Sequence, residues 1–363
     1  MSRPLAVDPH WLASHDEPAL EPQRPVIDAH HHLWDHAGWP YGLDEWLAEL
    51  DSGHRVVATV FVQCRSYYRR DGPEALRPVG ETGYAAACAE RCAAGPPGTP
   101  LACAGIVAHA DLRLGAAVRP VLLAHLEAGA GRMRGIRHST AWDPDPVVAN
   151  PELGTVAGLA ADSNFRAGFA ELAPLGLSYD AWVYHPQIDE IAALARAFPE
   201  TSIILDHAGG PAGIGRHSDR AAVWSSWCRS MDALAACPNV TVKLGGLAMR
   251  INGSDFHCRP KPPDSAALAE SFRPWVRGCI ERFGADRCLF ESNFPVDKAS
   301  TGYRTLWNAF KRLAAEYPER DRGLLLAGTA ARVYHLADPA APSPSASACL
   351  SPLSDTLHPG ITT

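Results

Sequence analysis

Two histidines one residue apart, His30 and His32, close a short apolar run in VIDAHHHLWD, residues 26–35. A strand sends alternate side chains to the same face, so this pair presents two imidazoles to one ligand while His31 between them points away. Two rings on one face are costly to bury without partners. They suit a metal ion or the polarisation of a substrate carbonyl. Asp28 falls on the same face by that alternation, as a ligand, an orienter of a histidine, or an ion-pair partner of Arg137.

Polar groups close the other apolar runs in the same way. Gln63 ends VVATVFVQC, Arg137 and His138 end MRGIRHS, His185 follows SYDAWV, and Asp206 and His207 end TSIILDH. Lys243 lies in VTVKLGG, and Glu291, Ser292 and Asn293 end CLFESN, with Asp297 shortly after. The glycines of LDHAGGP let a ligand approach the backbone beside His207. A cation in a strand needs a carboxylate or a bound anion. Arg137 and Lys243 are therefore expected to hold anionic or hydroxylated parts of a substrate, the alternative being an internal pair with Glu291 or Asp28. Gln63 is expected to touch substrate, and Trp34 to wall the pocket together with Trp142 and Trp182.

These residues need a frame that brings strand ends together. Eight apolar runs, starting at residues 26, 56, 102, 133, 178, 201, 240 and 288, alternate with helical patterns such as 116–128, 187–198, 221–236, 266–283 and 304–316. Several runs are continuously hydrophobic, as strands buried on both faces of a parallel sheet must be. Eight strand–helix units predict an α/β fold, the (β/α)8 TIM barrel, with its site at the carboxyl ends of the strands. A doubly wound sheet is the alternative, but it wants a glycine-rich phosphate loop where this chain has HHHLWD. The expected organisation is an N-terminal arm over 1–25, one barrel domain over 26–337 and a flexible Pro/Ser/Ala-rich tail over 338–363.

Composition narrows the function classes. The chain has 363 residues and a net charge of −7, which gives no electrostatic reason to expect nucleic acid or an anionic membrane as partner. No apolar stretch approaches the roughly 20 residues of a membrane-spanning helix. The ten cysteines are scattered without a CxxC pair, so they read as small buried hydrophobes. No secretory leader pattern opens the chain, and a cytoplasmic protein is expected. The expected partner is a small-molecule substrate, with self-association into a homo-oligomer left open.

Taken together, VIDAHHHLWD, GIRH, LDHAGGP, VKLGGL and LFESNFPVD resemble the strand ends of the amidohydrolase superfamily. They resemble in particular its amidohydrolase-related branch, which contains sugar-acid and dicarboxylate lactonases. The resemblance covers about residues 20–336. It implies His30, His32 and His207 as metal ligands and puts the fifth-strand histidine near His185. The eighth-strand aspartate of the family, its general base, falls at Asn293. An amide cannot take a proton from water, although it can orient one. The acceptor is then sought in Asp297, favoured as a reachable carboxylate, in Glu291, or in His185 or His207.

The resemblance also implies at most one divalent ion, zinc or manganese, because "GIRH" offers Arg137 and no lysine in the fourth-strand region where binuclear members carry a carboxylated lysine. It contains metal-free members as well. The activity it implies is hydrolysis of a lactone or related ester or amide, with water attacking a carbonyl polarised by histidine or metal. Two other readings stand beside it: a non-oxidative decarboxylase of an aromatic or unsaturated acid, and an idle binding or scaffold barrel that has lost its aspartate.

Overall fold

Each of the eight apolar runs folds as a strand, and all but the first, which continues through His30 to His31, stop short of their polar ends. In the computed structural model, which describes residues 5–96 and 98–337, the strands are β1 (Pro25–His31), β2 (Arg55–Val62), β3 (Leu101–Ala108), β4 (Met133–Ile136), β5 (Ser178–Ala181), β6 (Ile203–Leu205), β7 (Val240–Leu244) and β8 (Cys288–Phe290). All neighbours pair in parallel, in sequence order from β1 to β8. The sheet closes through residues just beyond β8: Asn293 N–H donates to the His30 carbonyl at 2.9 Å and His32 N–H to the Phe294 carbonyl at 2.8 Å. The expected (β/α)8 barrel is the fold.

The helices are α1 (Pro9–Ala13), α2 (Leu43–Leu50), α3 (Val79–Ala93), α4 (Arg119–Ala128), α5 (Ser163–Phe169), α6 (Ile188–Ala197), α7 (Arg220–Ala235), α8 (Ser265–Phe283), α9 (Tyr303–Ala314), α10 (Glu319–Gly323) and α11 (Thr329–Val333). One of α2 to α9 follows each strand, which is what a parallel sheet requires of its crossovers. Side-chain carboxylates start three of them: Asp162, Asp219 and Asp264 accept from backbone N–H groups in the first turns of α5, α7 and α8.

Two apolar layers result. The outer one packs Val240, Val242 and Leu244 of β7, and their equivalents on other strands, against helix residues such as Trp227, Phe272 and Trp307. The inner one fills the barrel with Ile27, Ala29, Val60, Val107, Ile204 and Leu289, and Ala330, Ala331 and Tyr334 close it from the amino-terminal end of the strands. The N-terminal segment runs outside the barrel: Trp11 donates to the Arg259 carbonyl at 2.8 Å, Glu17 accepts from the Ser265 hydroxyl at 2.9 Å, and Arg24 pairs with Glu319. The tail expected over 338–363 lies outside the described residues.

Candidate active site

Alternation along β1 is broken where the site begins. Ile27 and Ala29 line the interior, so an unbroken strand would send His31 inward and His30 out. The pairing with β2 shifts register between Asp28 and His31, and such an irregularity re-aims the residues that follow. His30 and His32 consequently turn inward, their Nε2 atoms 3.2 Å apart. His31 stacks on Trp46 at 4.3 Å and bonds the Thr59 hydroxyl at 2.8 Å. Asp28 does not share the face of His30, as the simple alternation suggested. It lies behind the site, accepting from Ser292 N–H and the Tyr303 hydroxyl, each at 2.9 Å.

Strands β5 to β8 keep their parity, and each delivers one polar residue above the apolar filling. Asp206 stands two residues beyond Ile204 and Glu291 two beyond Leu289. Asp180 and Lys243 occupy the inward positions of β5 and β7, and all four are fully buried. Lys243 Nζ reaches Asp180 Oδ2 at 2.7 Å, Asp206 Oδ1 at 2.9 Å and His30 Nδ1 at 3.1 Å. Its partners are therefore Asp180 and Asp206, not the Glu291 or Asp28 weighed from sequence. Lys243 also does not line the cavity where a substrate would meet it.

Arg137, just after β4, lies 3.2 Å from His30 Nε2 and 3.5 Å from Asp206 Oδ2 through one terminal nitrogen. Its other terminal nitrogen donates to the Gln63 carbonyl. Among the described residues its Nε–H is buried without a partner, as is the Gln63 side-chain carbonyl oxygen.

Glu291 joins two histidines. Oε1 lies 2.6 Å from His207 Nδ1 and Oε2 lies 2.8 Å from His30 Nδ1. Burial alone would raise its pKa, but His207 and His30 hold it below the usual carboxylate range, so it is an anion. Asp206 is likewise held well below that range by Lys243 and His30 against the effect of burial. Burial, with Lys243 nearby, lowers His30 to about 4, and burial with His30 and Arg137 lowers His32 further below the ordinary histidine value.

The backbone is left-handed at His207 (φ 54°), Ala208 (φ 51°) and Asn293 (φ 54°). For residues with side chains this is a strained conformation, characteristic of functional sites. The two glycines that follow β7 make room: a Cβ on Gly246, itself at φ +62°, would lie 2.4 Å from His207 Nδ1, and one on Gly245 would lie 2.3 Å from Glu291 Cγ.

Above these groups opens a cavity of roughly 180 Å³. His32, Gln63, Arg137, His207 and Asn293 supply its polar wall, and Trp34, Trp182, Met249 and Ile251 much of its apolar wall. Seven of the sequence candidates thus meet here, counting Trp34 and Trp182 but not Trp142, with His30, Lys243 and Glu291 directly behind them. Two others do not line it. Asp297 is buried behind Asn293, accepting from its amide at 3.0 Å and from Ala248 N–H at 3.3 Å, and burial pushes its pKa up to about 7. His185 packs on His217 at 4.8 Å and lines a separate crevice together with Asp189 and Arg216. Sequence reasoning passed over Asp180, Tyr334 and the structural weight of Asp206. The inward parity of Asp180 and Asp206 was readable from their runs, whereas nothing in the spacing announces that Tyr334 donates to Asp180 Oδ2 at 2.7 Å.

Comparison with known proteins bears on this geometry. The amidohydrolase family model matches residues 27–336. The chain belongs to the amidohydrolase family. An uncharacterized Sinorhizobium fredii protein, y4mH, is 31% identical over 336 residues, spanning 86% of this chain and 98% of that one. An L-fucono-1,5-lactonase of Burkholderia multivorans is 27% identical over 326 residues, spanning 86% and 97%. Among solved structures, a Burkholderia multivorans amidohydrolase with bound zinc superposes with a TM-score of 0.64 at 25% identity, covering 86% of this chain and 99% of that one.

Membership in the amidohydrolase family raises the question of a divalent ion, and His30, Asp206 and His207 bring one ligand atom each to within 4.8 Å of one another. Two of those three are already engaged. Lys243 faces Nδ1 of His30 and Oδ1 of Asp206, while Arg137 faces Nε2 of His30 and Oδ2 of Asp206. Every donor atom of both residues thus looks at a fixed cation. As built, the set does not fit a divalent ion without displacing one of them.

Proposed function

We propose that this amidohydrolase-family protein hydrolyses a lactone or related carbonyl ester of a small carboxylated or hydroxylated molecule. The observation that carries the reading is His207. Its Nδ1 is held at 2.6 Å by the ionised Glu291, which fixes the tautomer. Its ring lines the cavity, with Nε2 left as the lone-pair nitrogen. A water positioned there loses its proton to Nε2 as its oxygen attacks the carbonyl carbon, and Glu291 stabilises the imidazolium that forms. Arg137, whose side chain lines the cavity, supplies the positive charge that stabilises the oxyanion developing on the carbonyl oxygen. When the ring C–O bond breaks, the proton returns from His207 to the leaving alkoxide. The product is the hydroxy acid, one water heavier than the substrate.

This reading also accounts for Asn293. Its amide nitrogen is committed to Asp297, which leaves the amide oxygen as an acceptor for the attacking water. Asp297 itself has no direct path to that water, since an amide cannot relay a proton. The 27% identity to an L-fucono-1,5-lactonase supports the choice of carbonyl chemistry.

The test is a panel of sugar, dicarboxylate and aromatic lactones followed by acid release at constant pH, with carbon dioxide measured in parallel on aromatic and unsaturated acids. Acid release that disappears in His207→Ala supports the reading. Carbon dioxide release without lactone opening replaces it with the decarboxylase. Silence in both assays favours the idle barrel.

A further inference from the structure

We infer that Lys243 and Arg137 are this chain's resident substitute for a metal ion, two fixed cations built into the positions from which His30 and Asp206 would otherwise coordinate one. Divalent ions sit about 2.0–2.2 Å from imidazole and carboxylate donors. An ion bound to His30 Nδ1 and Asp206 Oδ1 would therefore contend for the space of the Lys243 ammonium, which lies 3.1 and 2.9 Å from those atoms. On the opposite side, an ion bound to the facing Nε2 atoms of His30 and His32 would meet the Arg137 guanidinium 3.2 Å from the first of them.

Neither cation is free to leave. Lys243 is fully buried, and its third contact is Asp180 Oδ2 at 2.7 Å, an oxygen that the Tyr334 hydroxyl also engages at 2.7 Å from the apolar plug that closes the barrel. Arg137 is anchored by the Gln63 carbonyl. Like charges at such separations in a low-dielectric interior repel strongly, so metal and lysine exclude one another.

The charge balance fits this substitution. Asp180, Asp206 and Glu291 count three carboxylates against two cations, which leaves one negative charge if all are ionised. A proton carried by His207 during turnover would neutralise it. Lys243 anchors Asp206 and Arg137 can hold an oxyanion, but neither acidifies a bound water as a metal does, and this is why the site needs a separate base in the His207–Glu291 pair. The inference deepens the proposed mechanism, yet its test measures metal and not turnover, so either can fail without the other.

The experiment uses full-length protein purified without a histidine tag. Metal content is measured, and zinc and manganese are then titrated calorimetrically into the wild type, Lys243→Met, Arg137→Met and the double variant Lys243→Met/Asp206→Asn. The expected wild type carries no stoichiometric ion and binds zinc no more tightly than about 10 µM. Lys243→Met frees a histidine and carboxylates, and its zinc affinity is expected to rise on the order of 100-fold, a gain that Asp206→Asn removes. Should Lys243→Met fail to fold, Arg137→Met is read in its place, because it frees the second nitrogen of His30 just behind the cavity wall. One tightly held ion per wild-type chain overturns the inference. So does a folded variant whose zinc affinity is unchanged.

Discussion

Two buried histidine–carboxylate pairs lie at the mouth of the barrel, and by hydrogen-bond geometry they are nearly twins. His207 Nδ1 meets Glu291 at 2.6 Å, and His217 Nε2 meets Asp143 at 2.8 Å. Their surroundings differ. The His217 pair ties the loop after β4 to the loop after β6, alongside Asp145 accepting from Arg216 N–H at 2.7 Å, and its ring packs against His185. The His207 pair sits on left-handed backbone, faces the cavity, and shares its carboxylate with His30 over a buried cluster of charge. Under the proposed mechanism a short hydrogen bond therefore does not by itself mark a catalytic dyad. What marks one is a free ring nitrogen at a cavity and a carboxylate whose charge is held by the rest of the site.

The sharpest way to break this comparison is to remove one carboxylate charge from each pair. Glu291→Gln keeps the size of the side chain but loses the anion behind His207, and kcat on any lactone the wild type opens is expected to fall about 1,000-fold. Asp143→Asn should leave kcat within about threefold and lower the melting temperature by a few degrees, since it loosens a loop tie. Equal losses of kcat in the two variants would erase the distinction.

A smaller effect is expected from the glycine that makes room for His207. Gly246→Ala puts a methyl carbon 2.4 Å from His207 Nδ1 and places a side chain on left-handed backbone. The ring must turn, and a loss of about 10- to 100-fold in kcat is expected with the fold retained, measured by steady-state kinetics beside circular dichroism. Unchanged kinetics would mean that the position of His207 is not critical.

The barrel was legible because its signals are local. Apolar runs of strand length are separated by helical patterns, and polar residues close them. Lys243 and Glu291 were visible by the same logic, each a charged residue at an inward position in an otherwise apolar strand. The partners were not. Asp180 lies within SYDAWV, where one carboxylate among apolar residues has no meaning until the lysine from β7 stands across from it. The β1 register shift, which decides that Asp28 leaves the site and His30 enters it, has no sequence signature because both registers satisfy the same pattern of apolar residues. Asn293 was legible as a departure from the family pattern, but its consequence needed three dimensions. The carboxylate two residues earlier on the same strand stands behind His207, and the one four residues later stands behind the asparagine itself.

That last contrast, Glu291 ionised at the site and Asp297 buried beside it, yields the smallest predicted effect and the one with the most definite sign. Burial raises Asp297 to about 7, against roughly 3.9 for a free aspartate. Between those values the folded chain holds a proton that the unfolded chain releases. The associated stability is therefore complete below about pH 4 and is lost as pH rises through about 7. Asp28, raised to about 6 by burial, acts with the same sign over a lower window. Glu291 and Asp206, held below the usual range, act with the opposite sign and lose their contribution only on acidification. Asp297→Asn removes one term from this sum. Its urea-unfolding free energy relative to wild type should improve by about 2–3 kcal/mol between pH 5 and pH 8, because the variant no longer buries a charge at alkaline pH. Parallel stability curves for the two proteins would show that Asp297 is ionised throughout. In that event a proton acceptor stands closer to Asn293 than the His207 mechanism requires.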